Sequence, residues 1–333
     1  MRNIGMQAYR QTRGDIDVRQ GVIPGPVVPI AYEDWGDPAA PPLLLIMGLG
    51  AQMVLWPDGF CGMLAGAGLR VIRFDNRDAG LSGRCQPPRQ PSAPRPPLWR
   101  LMVRAQLGLS SRVPYTLADM AADTAALLRG LGLARAHIAG ASMGGMIAQI
   151  LAAQHASRVS SLTVLFSSTN QPLLPPTAPG LLWKMLRSPG PKAGPEAQKA
   201  HIKDMLRALG TSEYPVPDED LEDVAACMVR RGIDPSGVRR QLMAVLGTGD
   251  LRPYCRAITA PTLVIHGEND RMLPKAAGRA VARAIPGAQL HLIPGMGHDL
   301  PPGLWPRLAG LIVNHVAAAS ARHDGAGGRP GSG

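Results

Sequence analysis

Short apolar runs alternate with stretches of helical spacing along most of the chain. The runs are "PLLLIMG" (42–48), "LRVIRFD" (69–75), "AHIAG" (136–140), "SLTVLF" (161–166), "PTLVIHG" (261–267) and "AQLHLIPG" (288–295). Each is short, rich in Leu, Val and Ile, and closed by polar or glycine positions, which predicts strands buried on both faces. Between them, 57–67 places Phe60, Met63 and Leu64 at helical spacing. "TLADMAADTAALLRGLG" (116–132) has Thr116 or Asp119 available near its start and Gly132 near its end, and "MGGMIAQILAAQ" (143–154) and 304–318 also read as helices. This alternation predicts an α/β class, with a mostly parallel central sheet and helices on both faces.

The rhythm breaks between 171 and 252. Pro172, Pro175, Pro176, Pro179, Pro189, Pro191 and Pro195 come first, followed by helical stretches at 197–209, 219–231 and 235–246. The expected organisation is a core in two parts, 1–170 and 253–320. A mostly helical insertion, 171–252, caps the carboxyl edge of the sheet, where open α/β folds bind ligands. The polar, glycine-rich 321–333 is expected to be a disordered tail.

Composition narrows the function classes. The chain has 333 residues, 45% of them hydrophobic, enough for a full core. The N-terminus has no continuous apolar stretch of signal-peptide type, and no run approaches the ~20 residues that span a bilayer, so a soluble, cytoplasmic protein without stable membrane insertion is expected. The net charge of +11 could suggest nucleic acid. However, Arg84, Arg89, Arg95, Arg100, Arg104 and Arg112 all fall in the acid-free stretch between Asp78 and Asp119, around the proline-rich "QPPRQPSAPRPP". No aromatic platform or recognised motif accompanies them, so a solvated loop is expected and no nucleic-acid partner. The segment that follows, "LWRLMVRAQLGL", reads as an amphipathic helix. Cys61, Cys85, Cys227 and Cys255 are scattered without metal-ligand spacing, and no metal is expected.

The candidate chemistry centres on "AHIAGASMGGMIAQI" (136–150). With 39 glycines in the chain, G-x-S-x-G alone is a weak signal. Its place between a strand and a helix is stronger, because a sharp turn there projects the Ser142 hydroxyl into the crevice and sets the Met143 N–H at a helix N-terminus. A serine hydroxyl needs a base, and the base needs an orienting acid. Asp270 follows the strand "TLVIHG", and His298 lies in the glycine-flanked loop "PGMGHDL" after the next strand. Both fall at the same sheet edge as Ser142. Glu268, Asp299 and Asp250 are nearby competitors for the acid. A second oxyanion donor is expected from Gly48-Leu49-Gly50, at the Leu49 N–H. Met53 and Trp56 in the same loop are candidates for lining an apolar substrate pocket, with core packing as the alternative. In the insertion, Met185, Met205, Met228 and Met243 fit either an adaptable lining or a helical core.

Together, "LLLIMGLGAQMVLWPDGF", "VIRFDNRDAGLS", "GASMGGMIAQ", "PTLVIHGENDRMLP" and "IPGMGHDLPPGLWP" resemble the capped α/β-hydrolase superfamily over nearly the whole chain. The likeness is to the serine esterase branch that includes aclacinomycin methylesterase. It implies the α/β-hydrolase fold, nucleophile, acid and base at Ser142, Asp270 and His298, oxyanion donors at Leu49 and Met143, and hydrolysis without cofactor or metal. Met47-Gly48 stands where many relatives have His-Gly, which leaves the backbone donors in place. Asp75, Arg77 and Asp78 match a family loop and are read as structural. The expected activity is hydrolysis of small to medium apolar carboxylic esters. The alternatives are carbon–carbon bond hydrolysis, lactone opening or perhydrolysis by the same triad, or a non-catalytic receptor on this fold.

Overall fold

A computed structural model of the chain describes residues 9–13, 16–86, 97–186 and 194–327. Its strands are β1 (Tyr9–Arg13), β2 (Ile16–Pro24), β3 (Pro29–Trp35), β4 (Pro42–Ile46), β5 (Arg70–Phe74), β6 (Ala136–Ala141), β7 (Val159–Leu165), β8 (Thr262–Gly267) and β9 (Gln289–Ile293). The helices of the first half are α1 (Asp58–Gly66), α2 (Leu98–Gln106), α3 (Leu117–Gly130) and α4 (Met143–Gln154). Then follow α5 (Pro179–Leu186), α6 (Pro195–Leu209), α7 (Asp218–Arg231), α8 (Pro235–Thr248), α9 (Arg252–Arg256), α10 (Lys275–Ala284) and α11 (Trp305–Gly327).

One sheet has the order β1-β2-β3-β5-β4-β6-β7-β8-β9. From β5 onward all neighbours are parallel, while β1, β2 and β3 add an antiparallel edge. The apolar runs read as strands because both of their faces are covered. Along β4, Leu44 and Ile46 enter one apolar cluster, with α3 and α4, while Leu43 and Leu45 enter another, with α1 and α11. The period of two thus divides a continuous apolar run between two cores.

The strand order reverses at β4, whose neighbours are β5 and β6. Crevices form at the carboxyl ends of strands where an open parallel sheet reverses in this way. Ile46 pairs with Gly140, so the loop leaving β4 and the turn leaving β6 emerge side by side.

Three features depart from the sequence reading. The antiparallel edge, β1 to β3, was not legible in it. Helix α11 runs to Gly327, into the 321–333 segment expected as a tail, because the alanine-rich stretch from Ala317 has high helix propensity and meets no glycine before Gly325. Residues 328–333, and most of the proline-rich loop (87–96), lie outside the described residues. In α2, Leu101 and Ala105 are buried, whereas Trp99, Met102 and Val103 remain exposed. The start of α3 follows the expected chemistry: Thr116 and Asp119 form a reciprocal capping box.

Helices α5 to α9 all lie between β7 and β8. Helix α9 packs on α4 and α10 in the core. By contrast, α8 reaches the loop after β4: a side chain on Gly50 would meet the Val238 methyls at 3.1 and 3.2 Å.

Candidate active site

Ser142 sits between β6 and α4 with φ 55° and ψ −122°, a strained conformation for a residue with a side chain. Its neighbours explain why the turn closes. The Ser142 N–H donates to the Leu165 carbonyl at 3.0 Å, and the Ser142 carbonyl accepts from Gly145 N–H at 2.9 Å and from the Ser167 hydroxyl at 2.6 Å. The flanking glycines are steric requirements. A Cβ on Gly140 would lie 2.3 Å from the Gly144 carbonyl oxygen, and one on Gly144 would lie 2.1 Å from that of Ile46. The helix start is therefore pressed against the ends of β6 and β4, which fixes where the hydroxyl points.

His298 and Asp270 come from the loops after β9 and β8. His298 Nε2 is 2.9 Å from Ser142 Oγ, and its Nδ1 is 2.7 Å from Asp270 Oδ2. Phe166 stands edge-on to the imidazole with ring centroids 4.9 Å apart. Asp270 Oδ1 accepts from the backbone N–H groups of Met272 and Leu273, both at 2.8 Å. Burial alone would raise the Asp270 pKa. The charge of His298, with hydrogen bonds from His266 and His298, outweighs it and holds the carboxyl well below the usual range, so it is ionised at neutral pH.

The competing carboxylates go elsewhere. Asp250 pairs with Arg252, and Glu268 faces Lys275. Asp299, next to His298, has both carboxyl oxygens buried with no donor among the described residues, and burial pushes its pKa up to about 6. The buried thiols are no rivals as nucleophiles, since burial raises Cys61 to about 11 and Cys255 to about 12.

The loop after β4 lies against the serine. A Cβ on Gly48 would be 3.1 Å from Ser142 Cβ and 3.5 Å from Oγ. The Leu49 N–H and the Met143 N–H at the start of α4 have no protein acceptor among the described residues. Gly50 N–H differs, because the Gln241 side-chain oxygen accepts from it at 2.8 Å.

Met53 and Trp56 are buried side chains, in keeping with the core-packing alternative. Met53 is 2% exposed and Trp56 fully buried. The reason is tertiary: buried Arg73 donates to the Trp56 carbonyl, and the indole stacks on Phe60 with centroids 6.2 Å apart inside the cluster beneath α1 and α11. Asp75, Arg77 and Asp78 are buried in polar contacts, in keeping with their structural reading. Arg77 forms a two-point ion pair with Asp123 at 2.5 and 2.7 Å.

A family model described as "alpha/beta hydrolase fold" matches residues 41–301. The chain belongs to the α/β-hydrolase family. Rhodomycin D methylesterase DnrP of Streptomyces peucetius is 31% identical to it over 314 residues, 86% of this chain and 95% of the relative. Among solved structures, the enol-lactonase from Burkholderia xenovorans LB400 superposes with a TM-score of 0.65 at 22% identity, covering 89% of this chain and 99% of that one. The 2-hydroxy-6-oxo-6-phenylhexa-2,4-dienoate hydrolase of Rhodococcus sp. strain RHA1 gives 0.67 at 18%, covering 90% and 99%. These two likenesses show the α/β-hydrolase fold.

Sequence reasoning missed Phe166, Ser167 and Gln241. Phe166 and Ser167 follow β7 directly, a position that could have marked them as facing the crevice. A single glutamine in a helix carries no such mark.

Proposed function

We propose that the protein is a serine hydrolase that cleaves carboxylic esters of small to medium apolar substrates through an acyl-enzyme on Ser142. The observation that supports this best is the continuous relay from Ser142 Oγ to His298 at 2.9 Å and on to Asp270 at 2.7 Å, beside two unclaimed backbone N–H groups. The relatedness to a rhodomycin D methylesterase supports an ester as the scissile group. Apolar Phe166 against the His298 ring, with Leu49 and Val238 at the loop after β4, fits an uncharged small molecule.

In this reading His298 takes the Ser142 proton as Oγ attacks the ester carbonyl. The oxyanion is held by the N–H groups of Leu49 and Met143, each worth about 3 kcal/mol at the transition state. His298 then protonates the leaving alcohol, and water repeats the sequence on the acyl-enzyme. Asp270, ionised, keeps the Nδ1 proton on the histidine and stabilises the imidazolium. No cofactor enters any step. Among the described residues no helix is long and apolar enough to cross a membrane. All four cysteines are free thiols, which fits the cytoplasmic expectation.

Steady-state hydrolysis of p-nitrophenyl esters from acetate to palmitate tests the proposal. Ser142→Ala is expected to lower kcat at least about 10³-fold while the fold is kept. Unchanged turnover in that variant would overturn the mechanism. Absence of turnover by the unaltered protein at every chain length would overturn the ester reading in favour of lactone or carbon–carbon cleavage by the same relay.

A further inference from the structure

The loop that offers Leu49 N–H is held from above. Gln241, in α8, is fully buried. Its side-chain oxygen accepts from Gly50 N–H at 2.8 Å, and its NH₂ donates to the Arg77 carbonyl at 2.7 Å. One side chain of the helical insertion thereby ties the loop after β4 to the loop after β5.

The consequence for Leu49 follows from peptide geometry. The Leu49 N–H shares a rigid peptide plane with the Gly48 carbonyl, and that carbonyl accepts from Ala51 N–H at 3.3 Å. The next plane contains Gly50 N–H, the group Gln241 holds. Gly50 has φ +66°, a region glycine enters freely, so without an anchor this turn has other conformations open to it. With both planes fixed, the Leu49 N–H is held in one direction, on a loop whose Gly48 lies against Ser142: a Cβ there would be 3.5 Å from Oγ. Gln241 also removes Gly50 N–H from competition for the substrate oxygen.

The anchor is itself supported. Gln52, two residues further on, donates to the Met228 and Gly232 carbonyls at 2.9 and 3.1 Å and accepts from Arg231 Nε at 3.0 Å. Arg231 pairs with Asp75 at 2.6 Å, and Asp75 also accepts from Met53 N–H at 2.7 Å. The Gln52 and Arg231 contacts join the end of α7 to the donor loop and to the core beneath it, and the Met53–Asp75 bond ties that loop to the end of β5. A buried polar network so fully satisfied rigidifies what it touches.

We propose that Gln241 is a positioning residue for the oxyanion site, so that α8 sets the Leu49 donor rather than merely covering the crevice. This inference rests on the serine hydrolase reading above. Gln241→Met, close in volume but without the amide, loses both hydrogen bonds. It is expected to lower kcat for a p-nitrophenyl ester by about 10- to 100-fold, with KM within about twofold, since a misaligned donor loses part of what a deleted one loses. The rate is taken per active site, counted with a p-nitrophenyl phosphonate that releases one p-nitrophenolate as Ser142 Oγ bonds to phosphorus. A merely structural role would lower the number of active sites and leave the rate per site unchanged.

Phenylboronic acid supplies a readout that needs no turnover. It adds to Ser142 Oγ as a tetrahedral adduct with an oxygen in the donor site, and its dissociation constant is expected to rise in proportion to the fall in kcat. Should Gln241→Met fail to fold, Gln241→Asn, which draws the same amide back by one methylene, is expected to show the same losses. A per-site rate and boronate affinity within twofold of the unaltered protein would overturn the inference and leave the hydrolase reading standing. No boronate binding by the unaltered protein, with Ser142→Ala also without effect, would take down both.

Discussion

The two sides of the helical insertion are held by different physics. Helix α6 has no buried residue. It meets its neighbours through surface ion pairs: Lys184 to Asp204 at 2.6 Å, Lys199 to Glu222 at 2.9 Å, and Lys203 to Asp218 and Glu222, both at 2.7 Å. Helix α8 buries Gly237, Gln241, Met243, Ala244 and Gly247. Two of its glycines mark close approach, since a Cβ on Gly237 would lie 2.5 Å from the Asp78 carbonyl and one on Gly247 2.5 Å from Val113. Position in the chain groups α6 with α8, but the contacts make α8 a wall of the site along its length, while α6 reaches it through its last residue, Leu209, whose carbonyl accepts from the His298 N–H at 2.9 Å. Where polar side chains on α8 are buried, they hold the loops after β4 and β5. Where they are exposed, they join α5, α6 and α7 to one another.

The largest expected difference between the two sides comes from cutting one ion pair on each. Arg240 of α8 grips Asp78 at two points, 2.8 and 2.7 Å, and the Asp78 side chain is wholly buried. Burial would raise the Asp78 pKa, but hydrogen bonds from Arg240, Tyr115 and the Cys85 N–H lower it overall. Arg240→Met strands that carboxylate and is expected to destabilise by about 3–5 kcal/mol, read as a shift of the urea midpoint at unchanged slope. Because the folded pKa of Asp78 is depressed, its contribution is present above the unfolded carboxylate pKa, about 3.9, and is lost as pH falls through the lower folded value. The penalty of Arg240→Met should therefore shrink on acidification below about pH 4.

What the sequence reading captured and what it missed follow the same division. Strands β4 to β9 and helices α1, α3, α4 and α11 were legible because their apolar positions follow a period that one core or two require. Ser142, Asp270 and His298 stood out by position, each just beyond an apolar strand and all at the same edge of the sheet. The edge strands β2 and β3 were opaque because polar residues on them are matched across strands: Arg19 and Arg70 both bond Asp34, and buried Arg73 bonds Glu33 at 2.5 Å. Hydropathy sees those positions as polar and cannot see that they are paired. Trp56 was ambiguous between pocket and core, because the cluster with Phe60 that buries it is assembled from distant segments. Gln241 has no periodic or spacing signature, and its significance exists only once Gly50 and Arg77 are brought to it.

Asp299 sharpens the comparison at the joint between α6 and the site. The end of α6 comes in here: the His298 N–H donates to the carbonyl of Leu209, the last residue of the helix, at 2.9 Å, and a Cβ on Gly210 would stand 3.0 Å from Asp299 Oδ2. With its pKa raised to about 6 by burial, the folded protein holds a proton that the unfolded chain releases near pH 3.9. The associated stability is complete below about pH 4 and is lost as pH rises through about 6. Asp299→Asn removes this loss, though it buries an amide without partners. It is expected to stabilise by about 1–2 kcal/mol at pH 8 and to give no gain at pH 4, by thermal unfolding at both values. An equal gain at both pH values would mean that the carboxyl is hydrated and ionises normally.

The smallest effect is expected on the outer side. Lys184 and Asp204 join α5 to α6 at 2.6 Å, with side chains 41% and 51% exposed. Water screens such a pair, and both side chains lose rotamer freedom to make it, so Lys184→Met is expected to cost at most about 1 kcal/mol. That small cost should fade in 0.5 M salt, where screening acts over about 4 Å. Ester turnover per active site should stay unchanged, because no bond in the chain from Gln241 to Leu49 passes through α5 or α6. A fall in kcat comparable to that of Gln241→Met would erase the distinction between the two sides and make the whole insertion a single positioning unit.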